Sequence, residues 1–417
     1  MKRTIAAGLC ALLLCGAGAP AYAAGTPAKK PAAAQEEQKP VALTFDTLEQ
    51  TVRENNVLIK SYESTVKSEE VTDVSDDYKM EYLNASGQIA SYQRQVAELE
   101  AAIAGLSEQQ SALRQTLMAQ LASLQASLSS AQASYDAIDD RVEDAEEAQE
   151  HTIRVTRREM QNNADQICMD AQNNYIALET LGYSVSQNER SIAQTERSIA
   201  ATKIQVSLGA VSANTLKTLE NQRESLLANR KSLQVQYDSL QNALAIQCGY
   251  AVKTTLETAA LPLVTDEQLD EMDYDADLAE ALKNSYSLWS KQDAADSASD
   301  DYANGVTNNL YAFEAAKIAL NAERESVTAS FRKLYQDVQE KRKAIDAAQS
   351  DLAQAQKNFD VQKLQYERGM ISRLTYQQAE DTFATAQETA AAAQSDLLTS
   401  YNTYRWAKRG VMSAAAV

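Results

Sequence analysis

The sequence is short of the residues that interrupt helices and of those that fill thick cores. Only 5 of its 417 residues are proline, and four of those five lie at or before Pro40. Little in the rest of the chain therefore forbids continuous helix. Phe occurs 5 times and Trp twice, which disfavours a large globular core and favours long helices with narrow apolar seams.

Positive charge and the motifs of catalysis are also scarce. The net charge of −19 and the lack of a basic patch argue against a nucleic-acid partner. His151 is the single histidine and lies in a polar stretch, where we expect a solvated surface residue. The acidic run 273–277 begins like a calcium loop, but Leu278 and Asn284 stand where that loop needs glycine and glutamate. The sequence predicts no enzyme, no cofactor and no metal site.

Long apolar runs are confined to the N-terminus. Lys2 and Arg3 precede an apolar run that ends in the small-residue sequence AYAA, which is typical of a secretory signal peptide over residues 1–23. The apolar run is too short to span a bilayer comfortably. Residues 24–42 are expected to form a disordered tether. We therefore expect an exported chain.

What the sequence does contain is an internal duplication. Residues 47–60 match residues 277–290, with apolar residues at equivalent positions. Each copy is predicted to open with a helix-capping box, Thr47 with Gln50 and Asp277 with Glu280. The duplication predicts a first repeat over 43–250 and a second over 276–417, joined by a linker at 251–275.

A second pair of matching segments lies later in each repeat. QVSLGAVSANTLKTLE (205–220) matches QYERGMISRLTYQQAE (365–380). In each segment a glycine can end one helix in the left-handed conformation, and a serine or the polar residues after it can cap the next. Each is thus predicted to be the turn of a helical hairpin. The turn residues are Gly209, Val211, Ser212 and Thr215 in the first repeat, and Gly369, Ile371, Ser372 and Thr375 in the second.

Heptads flank both turns. Before the second turn, spacings of three and four connect Leu334, Val338, Ile345, Ala348, Leu352, Ala355, Phe359 and Tyr366. This is typical of coiled coils. The predicted fold is all-α, with two tandem repeats of long antiparallel coiled-coil hairpins. The expected long helices span 145–208, 214–246, 310–366 and 374–408.

The first repeat is longer than the second by about 70 residues, and the excess lies before residue 150. Its heptads predict an extra helical hairpin. Gly105 would form the turn, with Ser107 and Gln110 as a capping box.

The opening residues Leu43, Thr44, Leu48, Asn55 and Asn56, the doubled plan and the paired turns together resemble the TolC-like outer membrane efflux family. The resemblance covers nearly all of the mature chain. It implies a homotrimer whose three chains build a twelve-helix α-barrel duct. It also implies that the eight turn residues dock a membrane-fusion-type adaptor and an inner-membrane efflux pump.

The sequence departs from that family in one respect. Each family repeat carries two transmembrane β-strands between its first helix and its long helix, and such strands show as alternating runs of about ten residues. This sequence has no such runs, so we expect a TolC-like protomer without the β-barrel. A duct or docking collar in the cell envelope, with peripheral or no direct membrane contact, is the expected form.

A second interpretation stays open on composition and heptads alone. The chain could be an extracytoplasmic structural coiled-coil protein, such as a spacer or a cell-wall-associated rod.

Two cysteines remain in the mature chain. An antiparallel hairpin with its turn near residue 211 offsets Cys168 and Cys248 by about 9 Å along the axis. A disulfide would need a wider turn or an overwound helix to close that offset, so both are expected to be free, buried thiols.

Overall fold

The computed structural model describes residues 40–305 and 310–412, and almost all of this part of the chain is helical. The predicted signal peptide, 1–23, lies outside the described residues. The helices are α1 (Phe45–Asn55), α2 (Val57–Val71), α3 (Lys79–Ala104), α4 (Ser111–Ser207), α5 (Ala213–Gln247), α6 (Asp266–Asp270), α7 (Tyr274–Asn284), α8 (Tyr286–Ala303), α9 (Leu310–Glu367) and α10 (Arg373–Lys408). The strands in these residues are β1 (Val41–Leu43) and β2 (Leu256–Thr258).

The start of the first repeat is tied to the inter-repeat linker. Most of the predicted tether, 24–42, lies outside the described residues, but its last two residues belong to β1. β1 pairs in parallel with β2, with Val41 opposite Leu256. The prediction of disorder is wrong for these two residues, because the sheet partner lies more than 200 residues away in the sequence.

The predicted hairpins are confirmed. α4 packs along α5 and α9 packs along α10, and these are the most extensive helix–helix contacts of the fold. Three of the four long helices begin and end within about two residues of their predicted bounds. The prediction was wrong for the first, because α4 does not begin near residue 145. It runs unbroken over 97 residues from Ser111, about 145 Å at 1.5 Å per residue.

The extra hairpin is formed by α3 and the first part of α4. The chain turns at Gly105, and Ser107 with Gln110 makes the predicted capping box. Tyr82 packs edge-on against Tyr135 at a centroid distance of 5.3 Å, which joins the two helices. No residue of α3 is buried, so this hairpin has only a narrow apolar seam.

The helices that open the two repeats begin earlier than predicted. Thr44 caps α1 by accepting a hydrogen bond from the Thr47 amide at 3.3 Å. Asp273 caps α7 by accepting from the amides of Asp275 and Ala276. The predicted caps, Thr47 and Asp277, therefore lie inside their helices.

Asp277 has a different role. Its carboxylate is buried, accepts a hydrogen bond from the Tyr404 hydroxyl and pairs with the Lys408 ammonium at 2.5 Å. This contact joins the start of the second repeat to its last helix. The acidic run 273–277 is therefore a helix cap followed by a buried ion pair.

The last helix of each repeat ends against the first helix of the same repeat. Gly249 follows α5 and Gly410 follows α10, both with positive φ. A Cβ at Gly249 would lie 2.3 Å from the Asn55 carbonyl oxygen, and one at Gly410 would lie 2.3 Å from that of Asn284. We call these two contacts the closing ends of the repeats. At each, the main chain of one helix packs directly on that of another.

The main apolar core surrounds the closing end of the first repeat and extends to the second. Trp406 of α10 is buried in this core and donates from Nε1 to the Gln172 side chain of α4 at 2.7 Å. Cys168 and Cys248 are free and buried here. Burial raises their pKa values to about 11 and about 12. The prediction of free, poorly reactive thiols agrees with this placement.

None of the helices in the described part of the chain combines the length and the hydropathy that a membrane-spanning segment requires.

Candidate docking surface at the hairpin turns

The turn between α4 and α5 ends the first helix with a Schellman motif. Gly209 has φ of 72°, and its amide donates to the Val206 carbonyl at 3.0 Å. The next amide, of Ala210, reaches back to the Gln205 carbonyl at 2.8 Å. These two bonds satisfy carbonyls that the helix end would otherwise leave unpaired. Glycine fits here because its left-handed conformation carries no Cβ penalty.

The turn between α9 and α10 has the same hydrogen bonds. Gly369 has φ of 71°, and its amide donates to the Tyr366 carbonyl at 2.9 Å. The Met370 amide donates to the Gln365 carbonyl at 2.8 Å. The two turns are therefore alike in main-chain conformation as well as in sequence.

The returning helices are capped alike. Ser212 Oγ accepts from the Thr215 amide at 3.4 Å, and Ser372 Oγ accepts from the Thr375 amide at 3.1 Å. Both serines are exposed, whereas Val211 and Ile371 are half-buried beside them. The eight residues predicted from the sequence thus lie together in two groups of four, one at each turn.

Ion pairs place the two turns at the same level. Arg190 and Arg197 of α4 pair with Glu388 and Asp381 of α10. Arg190 and Glu388 each lie 19 residues from the glycine of their own turn (209 − 190 and 388 − 369). Arg197 and Asp381 each lie 12 residues from it (209 − 197 and 381 − 369). The two turns therefore form one end surface.

Sequence reasoning missed the largest apolar groups on this surface. Leu208 is 77% exposed and Met370 is 68% exposed. Leu208 comes directly before the glycine of its turn, and Met370 comes directly after the glycine of its turn. An apolar residue beside a helix-ending glycine, outside the heptad positions, is the signal that could have identified them.

The two turns differ in the packing behind them. Behind the second turn, Tyr366 stacks on Tyr376 at 4.7 Å and Phe359 stacks on Phe383 at 5.2 Å. No aromatic pair is found behind the first turn in the described part of the chain, and its seam is aliphatic. Aromatic pairs contribute about 0.5–1.5 kcal/mol beyond their buried area, so the packing behind the second turn has a stabilising contribution that the first lacks.

The residues considered for catalysis and metal binding lie elsewhere. His151 is partly exposed on α4 and contacts the Asp293 carboxylate of α8 at 2.9 Å. Within residues 40–305 and 310–412, no three His, Cys, Asp or Glu side chains are grouped as a metal site would need.

The chain is similar to several solved outer membrane channels. It shares 10% identity with the outer-membrane channel OprN, over 88% of this chain and 90% of that chain, with a TM-score of 0.46. It shares 13% identity with the MtrE outer membrane channel of Neisseria gonorrhoeae, over 88% and 89% of the two chains, with a TM-score of 0.44. The CmeC outer membrane channel of Campylobacter jejuni shares 11% identity over 65% and 68%, with a TM-score of 0.45.

These channels belong to the class that the sequence resemblance named. No protein-family model matches the sequence, and no curated protein matches it.

Proposed function

We propose that this chain is a TolC-like component of an envelope export system and forms a helical duct or docking collar by self-association. The observation that carries the proposal is the pair of equivalent turns, held at one level by the α4–α10 ion pairs. A solitary hairpin has no need of a second turn at the same height. A ring of hairpins requires it, because every hairpin must reach the same end surface.

The duplication indicates how copies would associate. Within one chain, α4 of the first repeat packs on α10 of the second. The turn glycines are 160 residues apart (369 − 209), so α9 is the equivalent of α4 in the second repeat and α5 is the equivalent of α10 in the first. In a closed ring, α9 of one copy would pack on α5 of the next as α4 packs on α10. The resemblance implies three copies and hence twelve long helices.

The exposed side chains of α5 support this pairing. Val235 is 66% exposed and Ile246 is 54% exposed. Their counterparts in the second repeat, Ser395 and Trp406, are buried. The same positions are therefore covered in one repeat and bare in the other, which is the pattern expected of a face that a neighbouring copy covers.

One cation on the facing surface of α9 fits this pairing. Lys357 is the counterpart of Arg197, and its side chain is exposed. The counterpart of Asp381 on α5 is Asn221, and the nearby Glu220 and Glu224 pair within the chain with Lys203 and Arg223. Since such exposed pairs contribute little, one of these carboxylates would instead contact Lys357 of a neighbouring copy in the proposed ring.

The end surface is the docking site in this proposal. Gly209, Val211, Ser212 and Thr215, with Gly369, Ile371, Ser372 and Thr375, would contact a membrane-fusion-type adaptor and, through it, an inner-membrane pump. Leu208 and Met370 add exposed apolar area next to these residues. The assembly would lie in the cell envelope, outside the cytoplasmic membrane.

Sedimentation equilibrium of residues 24–417 tests the self-association. We expect a trimer, and we expect Val235→Glu to give a monomer with unchanged helicity by circular dichroism. Leu83→Glu on α3 is the matched control, because Leu83 is equally exposed, at 64%, but lies on the extra hairpin. A stable wild-type monomer at high concentration contradicts the duct.

Co-purification with an adaptor encoded beside this chain tests the docking site. The double variant Ser212→Arg and Ser372→Arg is expected to lose the adaptor and to keep its trimeric mass. The double alanine variant removes the same caps without adding bulk and is expected to retain binding. Unchanged binding by the arginine variant would show that the turns connect helices and do not dock the adaptor.

The extra hairpin favours the second candidate function, a structural spacer. The half-buried positions of α3 lie three and four residues apart, and this narrow seam packs on the first part of α4. This segment therefore has the form of an ordinary coiled-coil hairpin. A monomer in the sedimentation experiment, together with no adaptor binding, would support the spacer.

A further inference from the structure

A polar cavity of about 400 Å³ lies at the closing end of the second repeat, beside α1 of the first. Cavities that bind small ligands have volumes of roughly 300–1,000 Å³. The walls come from α1, α4, the end of α7, the start of α8 and the residues after α10. The side chains that matter here are Arg53, Arg158, Arg409, Gln161, Asn162 and Tyr286.

Two of the three guanidinium groups are neutralised. Glu49 accepts hydrogen bonds from Arg409 at 2.8 and 3.0 Å and from Arg53 at 2.8 and 3.1 Å. Arg53 also pairs with Asp165. Burial alone would raise the pKa of Glu49, but the bonds from Arg409 and Arg53 outweigh it and lower the pKa to about 2.

Arg158 is the guanidinium group that has no carboxylate partner among the described residues. Its Nη2 donates to the Asn284 carbonyl at 3.0 Å. In the described part of the chain, no carboxylate lies within ion-pair distance of it. Among the side chains that line the cavity or pair with those that do, three guanidinium groups therefore face two carboxylates; the exposed carboxylate of Glu159 lies near Tyr286 but does not line the cavity. Since a half-buried charge without a counter-ion is unfavourable, the cavity favours an anion.

Uncommitted donors surround the same space. Gln161 and Asn162 follow Arg158 by three and four residues, so all three side chains lie on one face of α4. Neither amide side chain hydrogen-bonds to another described residue, and the same holds for the Tyr286 hydroxyl. A guanidinium fork beside two amides and a hydroxyl can donate several hydrogen bonds to one ligand.

We propose that this cavity binds a small oxyanion, namely a low-molecular-weight compound with a phosphate or carboxylate group. Arg158 pairs with the oxyanion, and Gln161, Asn162 and Tyr286 donate the remaining hydrogen bonds. The guanidinium geometry matches the oxygens of both groups. The ligand contacts the first repeat through α4 and the second through Tyr286 and the segment after α10, so it strengthens the junction of the repeats.

Isothermal titration of the mature chain with inorganic phosphate, and separately with glutarate, tests this proposal against potassium chloride at equal ionic strength. We expect saturable binding of one ligand per chain by at least one of the two probes. The probe that binds identifies the favoured group. Because the chain carries a net charge of −19, diffuse attraction of anions is not expected to imitate this result.

Arg158→Gln is expected to weaken binding about tenfold or more. Arg154→Gln is the matched control, because Arg154 lies one turn earlier on α4, pairs with Asp293 and does not line the cavity. This control should bind as the wild type does. Equal weakening in both variants would indicate general charge attraction and overturn the proposal.

Asn162→Asp provides a test that leaves Arg158 in place. It adds a negative charge to the cavity wall and is expected to abolish binding without changing helicity. If the Arg158→Gln variant does not fold, the binding measurement on Asn162→Asp decides whether the proposal holds. The proposal is overturned if Asn162→Asp binds as tightly as the wild type. It is also overturned if neither probe shows saturable binding up to about 20 mM, a range that covers millimolar affinity.

Discussion

The turn ends and the closing ends of the repeats use one main-chain motif in opposite surroundings. Gly209 and Gly369 at the turns, and Gly249 and Gly410 at the closing ends, all have φ between 71° and 92°. At all four positions the glycine amide and the amide of the next residue donate the same pair of hydrogen bonds back to the preceding helix. A Cβ at either turn glycine would meet nothing within 4 Å, whereas one at either closing glycine would meet main chain at 2.3 Å.

The difference separates two reasons for glycine. At the turns only the conformation requires it, and the surface beside it stays free for a partner. At the closing ends the conformation and the close approach of another helix both require it. The same local motif therefore ends a helix at an exposed turn at one end of each hairpin and at a packed junction of helices at the other.

The largest expected effect is that of Gly410→Ala. The new Cβ would overlap the Asn284 carbonyl and also carry the cost of positive φ. We expect a loss of about 4 kcal/mol or more in the free energy of unfolding, because overpacking and strain at a special φ are both among the causes of the largest single-residue losses. Urea unfolding followed by circular dichroism measures it.

Gly369→Ala is the control for that prediction, since it has the same φ without the contact. It should cost about 1–2 kcal/mol, the penalty of the left-handed conformation alone. Equal losses in the two variants would mean that the closing end is not packed as described.

A smaller effect is expected from the caps at the two kinds of end. Asn56 is buried, caps α2 through the amides of Leu58 and Ile59, and donates to the Gln247 carbonyl at 2.8 Å. Asn56→Ala should cost roughly 2–3 kcal/mol, because it removes a cap and leaves the partly buried Gln247 carbonyl without its hydrogen bond. Ser212→Ala at the exposed turn should cost about 1 kcal/mol. Thermal and urea unfolding compare the two.

The acid sensitivity of the closing ends should also exceed that of the turns. The folded-state pKa of Glu49, about 2, lies below its ordinary value of 4.5. A lowered pKa contributes stability above pH 4.5 that is lost as pH falls from 4.5 towards 2. The Glu49→Gln variant should therefore be less stable than the wild type at pH 7. Its free energy of unfolding should also change less between pH 4.5 and pH 2.

The control for the acid prediction is Glu220→Gln, near the first turn. The Glu220 carboxylate is exposed and 3.9 Å from the Lys203 ammonium, and such pairs contribute little. A pH profile unchanged by Glu49→Gln would show that the Arg53–Glu49–Arg409 network does not hold the closing ends.

The turn ends could be predicted from the sequence because their causes are local. Heptads fix the pairing of α9 with α10, Gly369 fixes the helix end and Ser372 caps the return. Each signal lies within a few residues of the feature that it determines. The same holds for the capping box at Ser107 in the extra hairpin.

The closing ends could not be predicted in that way. The contact of Gly410 with Asn284 and the pairing of Val41 with Leu256 join residues far apart in the sequence. Asp277 fits a helix cap by pattern, yet Tyr404 and Lys408 draw it into a buried pair. A helix-capping pattern depends only on residues that are close in the sequence, whereas these contacts depend on how α7 packs against α10.

The smallest effect on stability is expected at Leu208, the most exposed apolar residue of the candidate docking surface. Leu208→Ala should change the free energy of unfolding by no more than about 0.5 kcal/mol, as for most surface positions. Leu244→Ala, in the core at the closing end, should cost about 2–5 kcal/mol. If Leu208→Ala destabilised the isolated protein by more than about 1 kcal/mol, Leu208 would be packed against its own chain. The turn surface would then not be free to dock a partner.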